Sequence, residues 1–312
     1  MNDQAHYQVY IGYPKGYISE FNNAHSVMKN EKGEAITSFG GDNATEGTLG
    51  SGVQNSSDAK MEVPSKMEVM WFSITENQFW RGEFELPKKE LAKALNNEKI
   101  LGLFTVSQTD IVDKYDKIVV NVAPKGKVYV YLGGMSVKLI GIYQAQPITY
   151  DWLQHIDETW AIKGVDIPTQ EQFVLSMKND YGSIVDEIDQ HYKEGFFTPV
   201  RWKLSIKGNK KILAFVVHTL NGEYTQFLEN PKEQEIKSIP TSFSFDVEEN
   251  GKVNRYNVEL KNSYEFYKKH FSHDAVVNVI VDIPDPDHIF LYFKQGDKTV
   301  EYTDFIASEL DR

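Results

Sequence analysis

The chain has 312 residues, 41% of them hydrophobic and 13% aromatic, enough to bury a substantial core and too apolar for a disordered polymer. A net charge of −12 sets the surface as a whole against nucleic acid and anionic membrane. Cysteine is absent, which excludes disulfides, thiol nucleophiles and cysteine metal sites and leaves the compartment open.

At the N-terminus Tyr7, Val9 and Ile11 alternate, and Pro14-Lys15-Gly16 turns, which predicts a hairpin running on through Tyr17 to Val27. A second turn follows at Asn30-Glu31-Lys32-Gly33. The stretch Phe39–Lys60 is rich in Gly, Ser, Asn and Asp and has no period. It predicts a long irregular loop, of the kind that is either functional or disordered, and one that could be deleted from Gly41 to Ser57 with folding intact. Met67–Thr75 and Phe79–Leu86 then predict paired strands across Glu76-Asn77. Pro87 opens a short helix that places Leu91 and Leu95 on one face. Lys117–Val122 and Lys127–Leu132 are expected to pair across Pro124-Lys125-Gly126, with Val137–Tyr143 as the next strand.

From Asp151 to Glu194 the period becomes helical. Thr169 and Gln172 have the spacing of a capping box, in which each side chain satisfies the other's free backbone donor. Strands are predicted again over Arg201–Ile206, Ile212–Leu220, Phe243–Val247 and Val253–Leu260. Asn262 with Glu265 is expected to cap another short helix, before strands over Val276–Ile283, Ile289–Phe293 and Thr299–Tyr302. This order repeats the order at the N-terminus, and Val119-Val120-Asn121-Val122 recurs as Val276-Val277-Asn278-Val279. The expected fold is therefore α+β: two similar lobes of mostly antiparallel sheet, each with a short helix, over residues 1–147 and 200–312, joined by a helical segment over 148–199.

Chemistry is hard to find in this sequence. There is no GxSxG elbow, HExxH, phosphate-binding loop or EF-hand spacing. His270 and His273 lie near each other at a helix end, which the helix dipole explains better than a metal. Asp282, Asp285, Asp287 and His288 crowd a proline turn and read as a solvated acidic turn. No cofactor or metal is expected, and no residue is singled out as catalytic. A scattered carboxylate pair of the glycosidase kind stays open, because its separation lies in space rather than sequence. The segment Asp151–Glu194 is the most lopsided in charge, its acids including Asp186, Glu187 and Asp189.

Several stretches resemble a family of Gram-negative lipoproteins of unknown function. They are Trp71-Phe72-Ser73-Ile74-Thr75-Glu76, the Leu86-Pro87 before a helix, Ala123-Pro124-Lys125-Gly126-Lys127-Val128, Gly141-Ile142-Tyr143-Gln144-Ala145 and Arg201-Trp202. The resemblance implies an immunity protein that binds a phospholipase effector of the type VI secretion system, held in the periplasm by a lipidated cysteine. This sequence lacks that cysteine and opens MNDQAHYQVY with no apolar leader, so either a leader has been removed or the protein is cytoplasmic. A membrane is expected to be touched only through such an anchor, and nucleic acid not at all. The partner is expected at Asp42, Asn43, Glu46 and Asp58 of the long loop, or at Asp186, Glu187 and Asp189 of the acidic segment. An envelope lipoprotein with a structural or ligand-binding role and, further off, a hydrolase acting through carboxylates are the alternatives.

Overall fold

The computed structural model of the protein describes residues 3–41, 44–104, 109–161, 167–181, 200–207, 211–228, 238–249, 251–272, 275–285 and 288–310. Strand dominates over short helices, an α+β composition. The chain divides into two compact units, Met1–Lys99 with Asp113–Tyr192, and Ile100–Val112 with Lys193–Arg312.

The first unit begins with β1 (Gln4–Pro14), β2 (Ser19–Phe21), β3 (Val27–Lys29), β4 (Ala35–Ser38), β5 (Thr45–Gly47), β6 (Val53–Gln54), β7 (Ala59–Glu62), β8 (Lys66–Ser73), β9 (Gln78–Glu85) and α1 (Lys88–Asn96). Next in the chain comes β10 (Glu98–Phe104), most of which falls in the second unit, as does the start of β11 (Thr109–Ala123); the first unit continues through the rest of β11, β12 (Lys127–Gly134), β13 (Val137–Gln144), β14 (Gln146–Ile148), α2 (Trp152–Trp160) and α3 (Gln170–Tyr181). One sheet runs β13-β12-β11-β1, with β1 parallel to β11 and the other pairs antiparallel. The second runs β14-β9-β8-β3-β4 and carries β2 on β8.

Alternation places Tyr7, Val9 and Ile11 of β1 with Ile118, Val120, Val128 and Val130 in one core, opposite Met67, Val69 and Trp71 of β8. Leu91, Ala92 and Leu95 of α1 join the same core. The other face of β8 is buried too. Met70 and Phe72, with Phe79 of β9, pack against Trp152, Phe173, Val174 and Met177 of α2 and α3. Strand β8 is therefore an almost continuous apolar run rather than an alternating one, as a strand covered on both faces must be. The helical segment expected between the lobes lies, where it is described, on this sheet of the first unit.

Two expectations are corrected here. The residues Tyr7–Val27 are not a hairpin: β1 pairs with β11, while β2 pairs with β8 in the other sheet. Pro14 has no donor to continue the ladder, and Gly16 at φ +84° swings the chain across to the second layer. The stretch Phe39–Lys60 is not an irregular loop but contains β5, β6 and the start of β7.

The second unit holds β15 (Trp202–Ile206), β16 (Lys211–Thr219), β17 (Tyr224–Leu228), β18 (Pro240–Glu249), β19 (Lys252–Leu260), α4 (Ser263–His270), β20 (Val277–Asp285), β21 (His288–Gln295), β22 (Lys298–Tyr302) and β23 (Phe305–Leu310). One sheet is β22-β21-β20-β15, with β15 parallel to β20; the other is β17-β16-β18-β19-β23, all antiparallel. Trp202, Val277, Val279 and Phe293 meet Phe215, Phe243, Phe245 and Val258 in its core, with Tyr267 of α4. Strand for strand, this pairing order and sense match β13-β12-β11-β1 and β4-β3-β8-β9-β14 of the first unit. Strand β23, which the sequence reading missed, occupies the place that β14 takes there.

Candidate functional site

The segment from Ala44 to Glu62 is shaped by β1. Strand β5 pairs with Gly12–Pro14, β6 with Tyr10 and Ile11, and β7 with Gln4–Tyr7. Since Tyr10, Ile11 and Gly12 also pair with β11, β5 and β6 cover the opposite edge of β1, which would otherwise present unpaired donors and acceptors. Side chains complete the attachment. The buried Asn121 accepts from the Gly50 amide at 2.7 Å and donates to the Ser51 carbonyl at 2.8 Å. Ser56 Oγ accepts from the Val9 amide at 2.7 Å, and the Asn55 amide donates to the Val9 carbonyl at 2.8 Å. Gly52 approaches so closely that a Cβ there would sit 2.6 Å from the Ile11 carbonyl oxygen. Val53, Gln54, Ser57 and Asp58 remain exposed on the outside of this strip.

Of the loop residues singled out by sequence, Glu46 lies in β5 opposite Tyr13, and Asp58 is exposed immediately before β7, whose Ala59 stands opposite Tyr7. Those positions are six residues apart on β1, roughly 20 Å at strand spacing, so the structure does not bring Glu46 and Asp58 together. Asp42 and Asn43, and Asp186, Glu187 and Asp189 of the acidic segment, lie outside the described residues.

Helices α2 and α3 form a layer over β8 and β9. Asp151 caps α2 by accepting from the Gln154 amide at 2.7 Å. The capping box of α3 is present: the Gln172 amide donates to Thr169 Oγ1 at 3.3 Å and the Thr169 amide to Gln172 Oε1 at 2.9 Å. The inward positions His155, Ile156 and Val174 are buried. The outward positions include Leu153, 58% exposed, and Leu175, 62% exposed. Asp157 lies one turn from Leu153 and Glu171 one turn from Leu175, both exposed. Leu175 stands two residues from both Phe173 and Met177, off the buried stripe, a signal that helical spacing carries and that the sequence reading did not use.

Beneath this layer runs a chain of polar side chains that the sequence did not announce. Glu68 takes Lys29 Nζ at 2.6 Å, Arg81 Nη2 at 2.5 Å and approaches His25 Nδ1 at 3.3 Å. The Tyr150 hydroxyl lies 3.3 Å from His25 Nε2 and donates to Glu158 at 2.7 Å. Asn22 donates to the same carboxylate at 2.8 Å and lies 3.3 Å from Nδ1 of the fully buried His155, whose Nε2 is 3.7 Å from Glu20. Burial pulls Glu68 upward, but the hydrogen bonds and charges of Lys29 and Arg81 outweigh it and hold the carboxyl below its ordinary range. Glu158 is likewise lowered against its burial, by Gln154, Asn22 and Tyr150. Burial and Glu158 push the Tyr150 phenol up to about 12. The bond from Asn22 to Glu158, with that from Asn23 Nδ2 to the Thr159 carbonyl at 2.9 Å, ties α2 to the segment between β2 and β3.

In the second unit Asn262 takes the N-cap place of α4 without the expected capping bond; it sits at φ +50° and donates instead to Asp304 at 2.9 Å. A shallow groove of about 220 Å³ opens there, lined by Lys261, Glu265, Phe266, Lys269, His270 and Glu301 among others. Asp282 is engaged by Lys207 Nζ at 2.7 Å. Asp287 and His273 lie outside the described residues. Among the described residues, no group of three or more His, Asp or Glu side chains is placed to hold a metal ion, and no helix is long and apolar enough to cross a membrane.

No curated protein and no solved structure matches the chain. The profile described as "Protein of unknown function (DUF2931)" matches residues 2–194, a span that takes in β1 to α3 with the edge strip, the helical layer and the buried polar chain. The chain thus belongs to the DUF2931 family of proteins of unknown function.

Proposed function

We propose that the protein is an inhibitor that works by binding: an immunity protein of the periplasm that occludes the active site of a type VI secretion phospholipase effector. The observation that supports this reading is the strip from Ala44 to Glu62. A long polar segment of the chain is held in one shape by β1 and Asn121 and still turns Val53, Gln54 and Asp58 outward. A segment already ordered before it meets its partner loses little conformational freedom on docking, the condition under which a protruding element makes a tight plug. Asp42, Asn43, Glu46 and Asp58 are the contacts of this reading, with Asp186, Glu187 and Asp189 as the competing surface.

The test is co-expression in the periplasm with a type VI secretion phospholipase effector of the same organism, scoring cell survival and 1:1 complex formation. Val53→Arg with Asp58→Arg should weaken binding at least about tenfold, roughly 1.4 kcal/mol, at an unchanged melting temperature. Full protection by that variant would remove the strip from the interface. Failure of the unaltered protein to bind or protect would end the immunity reading itself.

We also propose that the two units are two similar lobes, copies of one ancestral unit. The matching pairing order, with one parallel pair at the same place in each, supports this. The Asn-containing repeat lies in corresponding strands, and its two asparagines have diverged: Asn121 holds Gly50 and Ser51, whereas Asn278 accepts from Ser205 Oγ at 3.1 Å. An experimental structure in which β15 pairs with a strand other than β20 would refute it.

A further inference from the structure

We propose that the outer face of α2 and α3 docks a second protein surface, one that is apolar at its centre and rimmed by lysine and arginine. Both helices already bury a face against β8 and β9, through Trp152 and His155 of α2 and Phe173, Val174 and Met177 of α3. Leu153 and Leu175 are outside that face, at 58% and 62% exposed. Each lies one helical turn from an exposed acid, Leu153 with Asp157 and Leu175 with Glu171. Among the described residues of 151–161 and 167–181 the exposed acids are Asp151, Asp157, Glu171 and Asp180, against the one lysine Lys178; Glu158 belongs to the polar chain beneath.

That combination selects the occupant by charge. A second copy would bring the same acids against these acids, in a chain of net charge −12. An anionic lipid surface is repelled in the same way. A free acidic face without leucines would need no partner, since solvated carboxylates are stable in water. Two outward leucines among carboxylates are instead matched by a partner that supplies apolar contact at the centre and cations at the rim. The polar chain from Glu68 through Tyr150 and Glu158 to His155 fixes α2 beneath this face, so the face is presented on a rigid support. The inference is separate from the proposed function: it requires a partner of this surface chemistry, not a lipase.

The probe is an amphipathic helical peptide of leucine and lysine, titrated into the full chain by calorimetry, with a leucine and glutamate peptide as its counterpart. The lysine peptide should bind saturably at one site, weaken as salt rises, and protect the amides of α2 and α3 from exchange. Leu153→Ser with Leu175→Ser, and separately Asp157→Lys with Glu171→Lys, should each weaken binding at least tenfold while circular dichroism stays unchanged. Equal binding of the two peptides, or undiminished binding by either double variant, overturns the proposal. So does a concentration-dependent dimer in sedimentation that Leu153→Ser with Leu175→Ser abolishes, which would assign the face to a second copy. Binding of the unaltered chain to phosphatidylglycerol vesicles, lost in the leucine variant, would overturn it in favour of a membrane.

Discussion

Asn121 shows how much one side chain can organise. It is buried, and its amide serves the Gly50 N–H and the Ser51 carbonyl, two backbone groups that no strand partner reaches. Asn121→Ala leaves the buried Gly50 N–H without its partner, a loss of about 1–3 kcal/mol, while the carbonyl of the exposed Ser51 can turn to water. Urea unfolding should show a lower midpoint at an unchanged slope, and the Gly50 amide should exchange faster. Glu68 makes a prediction about acid. Its folded-state pKa lies below the ordinary glutamate value of about 4.3, because Lys29 and Arg81 outweigh its burial. A carboxyl depressed on folding contributes stability that is complete above the unfolded value and is lost as pH falls through the folded one. Stability should therefore decline below about pH 4.3, and Glu68→Gln should be less stable at neutral pH and lose less on acidification. Parallel acid limbs for the two proteins would contradict this. None of these partners was legible in sequence: Asn22, His25, Glu68 and Glu158 lie in three separate stretches, and only tertiary packing adds them to one chain.

Elements whose cause is local were read well. The turns at Gly33 and Gly222 have positive φ, the helix after Pro87 buries Leu91 and Leu95, and the capping box of α3 forms its two bonds. The strip from Ala44 to Glu62 failed for the opposite reason. Its strands have no hydrophobic alternation of their own, and their conformation comes from the edge of β1. The deletion of Gly41–Ser57, expected from sequence to leave folding intact, should instead give a protein that aggregates or fails to fold, since it uncovers a β-edge and takes away the partners of Asn121. A soluble, monomeric deletion product with the parent's melting temperature would show that the strip is dispensable.

For the molecule as a whole, each unit has its own core, Tyr7 to Val130 in one and Trp202 to Phe293 in the other. Calorimetry should resolve two transitions. Trp202→Ala, a truncation of a fully enclosed aromatic costing about 3–5 kcal/mol, should lower one transition and leave the other in place. A single transition that shifts as a whole would mean that the units unfold cooperatively. The family profile matches residues 2–194, so the edge strip and the helical layer fall within the matched span, while the strands from β15 onward lie beyond it.

By itself the sequence determined what depends on near neighbours: strand-rich composition, most turns, three helix starts, and the recurrence of one order of elements along the chain. Periodicity and turn chemistry act over a few residues, so they can be read from a single line of text. Tertiary structure alone decided that β1 and β2 part into different sheets, that a polar strip becomes the border of β1, and that a train of carboxylates, histidines and amides lies under α2. It also decided that Leu153 of α2 faces outward. Those outcomes are set by contacts between residues 30 to 140 positions apart, on the order of the separations that chain folding alone brings to a few ångströms, and whose energies no local pattern encodes.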